Sequence, residues 1–121
     1  MFKITFVFDS LPPMDLSPNG RLHWRGRAAK VKQEREYARL LGMQNKGDWQ
    51  APDKAILSFE FYSSTKRAFD LDNAISATKS WIDGLKDAGI VLSDDCWHLS
   101  YGKAEVIAAK YDETRLILEA K

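Results

Sequence analysis

A single cysteine, Cys96, is all the thiol chemistry this chain has. It cannot close an internal disulfide or build a structural zinc site alone, which excludes stapled secreted scaffolds and zinc ribbons and suits a reducing cytoplasm. No apolar run approaches the roughly 20 residues of a membrane helix. The opening MFKITFVFDS is broken by Lys3, Thr5 and Asp9 and lacks the charge-then-apolar order of a signal peptide. Repeats, linkers and low-complexity tracts are missing too. What is there is an ordinary globular composition, 45% hydrophobic and 29% charged over 121 residues, which predicts one domain spanning residues 1–121.

Charge is short only in sum. The net value is +1, yet residues 21–32 (RLHWRGRAAKVK) carry five bases and no acid, whereas residues 70–95 carry six aspartates against Lys79 and Lys86. A basic arm beside an acidic knot suggests a polyanion held by the first and worked on at the second.

The hydrophobic pattern predicts the scaffold. FKITFVF (2–8) alternates with a strand period and runs into a Pro-rich loop. Ala28, Val31, Ala38 and Leu41 recur at helical spacing from about Gly26, with a stop near Gly42. AILSFEFY (55–62) reads as a strand and SSTKRA as a polar loop. A second helix runs from about Leu71 to Ala88 and closes at Gly89. Residues 97–110 and 114–119 read as strands joined by a turn near Asp112, with Cys96 and Trp97 leading into the core. The expected fold class is α+β: a single domain with a mixed four-stranded sheet and two helices packed on it, in the order β-α-β-α-β-β.

On a helical wheel Leu71, Ala74, Ile75, Thr78, Trp81, Ile82 and Leu85 share the core face, and Lys79 and Asp83 share its polar border. From Asp72 to Ala88 the helix climbs about 24 Å. The extended segment to Asp95 can return about 23 Å. Asp70, Asp72 and Asp95 are therefore expected to reach one another, with Lys79 a turn or two away. Three converging carboxylates require a cation, and magnesium, which takes oxygen ligands and is often shared with phosphates, is the natural one. The plainer alternative makes Asp70 or Asp72 a helix cap, Lys79 and Asp83 a surface ion pair, and Asp94–Asp95 a turn.

Taken together, D70-L-D72-N73, K79-S-W-I-D83-G-L85 and G89-I-V-L-S-D94-D95 resemble the RusA family of Holliday-junction resolvases, as does the Pro- and Asn-containing entry PPMDLSPNGRLHWR. The resemblance implies a homodimeric, magnesium-dependent, cytoplasmic endodeoxyribonuclease that resolves four-way DNA junctions by paired phosphodiester hydrolysis in recombination and repair. It implies Asp70, Asp72 and Asp95 as metal-binding catalytic residues, Lys79 as the catalytic lysine, and Asn73, Asp83 and Asp94 as supporting positions. The chain departs from the shorter form of the pattern, in which two residues separate the D-N pair from the lysine; here five intervene. Three extra residues rotate a helical side chain by about 60° and lift it about 4.5 Å.

For a DNA backbone the expected contacts are Arg21, Arg25, Arg27, Lys30, Lys32, Lys66 and Arg67, with Trp24 able to stack on an unpaired base. The spacing of His23 and His98 suggests no metal site, and both are expected to be structural. An aspartyl-phosphate phosphatase would place its D-x-D after a buried apolar strand rather than after SSTKRAF. The competing expectation is a non-catalytic module that binds branched DNA on the same scaffold.

Overall fold

Residues 2–17, 20, 23–66 and 68–121 are described by a computed structural model of the chain. Alternation builds the sheet. Strand β1 (Lys3–Phe8) turns Ile4, Phe6 and Phe8 inward and Lys3, Thr5 and Val7 outward. Strand β2 (Ala55–Ser63) buries every second residue from Ala55 to Ser63. Helix α1 (Trp24–Asn45) lies between them in sequence, and a single 3-10 turn (Met14–Leu16) precedes it. After β2 come helices α2 (Leu71–Ala77) and α3 (Lys79–Asp87), then strands β3 (Leu99–Ala108) and β4 (Glu113–Ala120). The sheet order is β1-β4-β2-β3, with β4 antiparallel to both neighbours and β2 parallel to β3. A parallel pair needs a crossover, and the α2–α3 segment is that crossover. The α+β architecture and element order expected from the hydrophobic periods are those of the structure. None of the helices among the described residues is long and apolar enough to cross a membrane.

The helices cover one face of the sheet. Phe6, Phe8, Phe59, Phe61, Leu116 and Leu118 pack there against Trp81, Leu85 and Ile90, and Phe8 stacks on Trp81 with ring centroids 4.1 Å apart. Burying an aromatic of this size removes 150–250 Å² from water, so this stack anchors α3 to β1. Two polar links bind α1 to α3: Arg35 Nε and Nη2 donate to Asp87 at 2.6 and 2.8 Å, and Trp81 Nε1 donates to Glu34 Oε2 at 2.8 Å.

Three local expectations are corrected. Gly42 does not stop α1, which continues to Asn45. It is buried, and a Cβ there would lie 3.0 Å from the Ala88 Cβ, so the glycine lets the two helices approach instead. The helix expected over 71–88 is broken at Thr78. The Thr78 hydroxyl and backbone N–H both donate to the Ile75 carbonyl, at 2.6 and 3.1 Å, and this back-bonding tightens the turn and bends the axis. Finally, the strand expected from 97 begins at Leu99, and Trp97 stands outside the core, 76% exposed.

The end of α3 follows expectation. Gly89, at φ +78°, donates to Lys86 O, and Ile90 donates to Leu85 O. This pair of bonds is a Schellman closure, which needs a residue at ease in the left-handed region.

Candidate functional site

The acidic segment is built on the two ends of the crossover. Asp70 caps α2: its extended backbone precedes the first turn and its Oδ1 accepts the Asp72 N–H at 2.9 Å. Asp72 lies in that first turn, exposed, and its carboxylate meets no donor among the described residues. Asn73 follows, half-buried.

The bend at Thr78 starts a new helix at Lys79, whose ammonium is clasped by two acids. It donates to Asp83 Oδ1 at 2.6 Å, one turn along α3, and to Asp94 Oδ2 in the loop after α3. Lys86 Nζ stands 3.8 Å from the other Asp94 oxygen. Partial burial works against the Lys79 charge, but the hydrogen bonds to Asp83 and Asp94 outweigh it and raise its pKa above the ordinary amine value. The bond from Lys79 in turn holds the Asp94 carboxyl below the usual carboxylate range. The segment after α3 brings Asp94 against Lys79, fifteen positions away in sequence, whereas the expected grouping of Asp95 with Asp70 and Asp72 at the helix start is not found among the described residues.

Asp95 is engaged within its own loop. Its Oδ1 accepts from the backbone N–H groups of Trp97 and His98, at 2.9 and 3.1 Å, and lies 2.7 Å from His98 Nδ1. A carboxylate can only accept, so this bond puts a ring proton on Nδ1. Its Oδ2 accepts from the Ser93 hydroxyl at 3.0 Å. The His98 bond, foremost among these, lowers the Asp95 pKa. Among the described residues no three His, Cys, Asp or Glu side chains form a group poised to hold a metal ion. The structure thus brings together Lys79, Asp83 and Asp94, keeps Asp70 and Asp72 as neighbours at the α2 start, and gives Asp95 to the turn that presents His98.

The donor chemistry at Asp70 and Asp72 still suits magnesium. Asp70 keeps one oxygen free of the cap and Asp72 both of its oxygens, and magnesium is commonly held by one or two carboxylates together with waters and a substrate phosphate. Leu16, Arg27, Lys79, Ser80 and Asp83 are among the residues bordering a hollow of about 100 Å³. The Ser80 hydroxyl is buried with no hydrogen-bond partner among the described residues. A space of that size takes a few waters, which would satisfy it.

The basic residues divide. Arg25 packs its guanidinium over the exposed Trp24 ring at 5.0 Å. Arg27 is tied to the 3-10 turn, donating to Leu16 O at 2.6 Å. Lys30 stands 3.6 Å from Glu34. Lys32 and Lys66 are exposed and have no acidic partner among the described residues. Arg21 and Arg67 lie outside the described residues. Sequence reasoning set His98 aside and sent Trp97 inward; a D-x-x-H spacing, in which an aspartate can take both backbone N–H groups and the ring of a turn, was the available signal.

No protein-family model matches the sequence. The chain is similar to an uncharacterized protein of Xylella fastidiosa (strain Temecula1 / ATCC 700964), with 37% identity over 82 residues. That alignment covers 64% of this chain and 52% of the relative, so the chain spans about half the length of the protein it matches.

Proposed function

We propose that the chain is a magnesium-dependent endodeoxyribonuclease acting on branched DNA, with the four-way junction as its substrate and a homodimer as its working form. The observation that carries this reading is the clasp of Lys79 between Asp83 and Asp94 directly beyond the D-x-D helix start. It brings Asp94 to Lys79 from fifteen positions away, beside the helical Lys79–Asp83 pair. Asp70 and Asp72 would hold the ion. Bound there, magnesium would supply a water of lowered pKa and stabilise charge on the phosphodiester. Lys79, kept charged by its two acids, would face the phosphate backbone and orient it. Arg25, Lys32 and Lys66 would hold flanking phosphates without regard to sequence. Two identical strands of a junction suit two sites related by a two-fold axis.

Asp72→Asn is expected to abolish magnesium-dependent cleavage of a synthetic four-way junction while leaving its binding intact. Equal cleavage by variant and parent excludes the site. A second reading, a module that binds branched DNA without cutting it, is favoured by the engagement of Asp95 with His98 and Ser93. Tight junction binding with no cleavage by the parent in magnesium would select it.

A further inference from the structure

The 76% exposure of Trp97 leaves most of a large aromatic surface in water. A mobile loop would excuse that, but this loop is pinned on both sides of the indole. Asp95 Oδ1 takes the Trp97 N–H, and Asp95 O takes the N–H groups of His98 and Leu99, at 3.2 and 3.0 Å. The main chain that carries the indole is therefore held in place, so little backbone freedom is lost when something packs on the ring. Beside it lies a hollow of about 90 Å³ lined by Lys54, Cys96, Trp97, His98, Ser100 and Lys121 among others, with no aspartate or glutamate in its wall. An exposed aromatic platform bordered by two lysines is the chemistry of single-stranded nucleic acid recognition: the ring stacks on a base and the ammonium groups meet the phosphates on either side.

We propose that Trp97, with Lys54 and Lys121, forms a binding site for an unpaired nucleotide of the DNA substrate, next to Asp95. The proposal rests on the nucleic-acid reading above but not on cleavage. It gives the protein a means of preferring branch points over duplex, since only an unstacked base offers its face to the indole. The occupant is a nucleotide rather than a protein segment because two lysines and no aspartate or glutamate line the hollow beside the flat indole ring.

Trp49 and Trp81 are buried, so in a Trp24→Phe protein Trp97 is the one indole facing solvent. Titration of that protein with single-stranded oligothymidylate is expected to quench its fluorescence, and the further change Trp97→Phe to remove the quench. In anisotropy titrations at fixed salt, Trp97→Ala is expected to weaken binding of a junction with unpaired thymines at its centre by roughly 5- to 150-fold, the span of one base–aromatic stack. Affinity for paired duplex should change by less than about twofold. Unchanged melting temperature would show the variant folded, as expected for an exposed side chain. Parent-like affinity for the unpaired substrate, or no quench, would overturn the proposal. Asp72→Asn keeps the two readings separable: loss of cleavage with the quench intact tests only the nuclease site, whereas cleavage that survives Trp97→Ala with unaltered affinity refutes only this one.

Discussion

Asp94 owes its setting to Lys79 and Lys86, Asp87 to Arg35, and Asp95 to His98 and the amides of its own turn. All three carboxyls are held below the ordinary carboxylate range, each chiefly by its hydrogen-bonded partner. The unfolded chain therefore takes up protons at higher pH than the folded one. The stabilisation they give is complete above the ordinary value of about 4 and is lost as pH falls through their folded values. Melting temperature is expected to fall on acidification below about pH 4, and less steeply in Asp94→Asn; an identical slope in the variant would assign the acid sensitivity to other groups. At this scale the sequence was legible as to neighbours along a helix and less so as to contacts made through a loop. Lys79 was placed beside Asp83 by helical spacing, but its bond to Asp94 depends on a loop whose path no periodicity encodes. Asp95 looked like a ligand because its competing partners, two backbone N–H groups and an imidazole, become visible only once the turn is formed.

Between elements, the α1–α3 crossing is set by the absence of side chains. A Cβ on Gly84 would lie 2.2 Å from Arg35 O and 2.7 Å from the Ala38 Cβ, so the helices would have to separate to admit it. Gly84→Ala is expected to destabilise the protein by about 1–3 kcal/mol, measured by denaturant unfolding, despite the better helix propensity of alanine. A stabilised variant would mean that the crossing can widen freely. Strand and helix types were readable because alternation and helical spacing are strong in β1, β2 and α3. The break at Thr78 was not, since it arises from one hydroxyl competing with the helical ladder. It also falls among the five residues between Asn73 and Lys79, where the chain departs from the shorter motif. The bend thus changes the direction in which the lengthened segment delivers Lys79. Gly42 misled for the opposite reason, since a glycine in a helical pattern signals either a stop or a close approach, and only tertiary packing chooses between them.

In the whole molecule, the sheet carries the helices on one face and the acidic crossover joins its parallel pair β2 and β3. If Asp70 and Asp72 take up magnesium, the folded state alone has that site, and ion in hundredfold excess over its dissociation constant adds about 2.7 kcal/mol to stability. The parent is expected to melt several degrees higher in magnesium than in chelator, and Asp72→Asn to show no such shift; a shift of equal size in both would place the ion elsewhere. The fold class was legible throughout because it depends on patterns averaged over many residues, whereas the site depends on a few contacts. One such set, the ties of Arg35 to Asp87 and Trp81 to Glu34 across the crossing at Gly84, has a mechanical corollary. The helix bearing Arg25 and Lys32 and the helix bearing Lys79 are tied directly to each other, so on the proposed function the phosphate-holding residues and the lysine would sit at one fixed span. A polynucleotide worked on by such a protein must do the flexing itself, and the stiffness of its own backbone then decides which shapes are accepted.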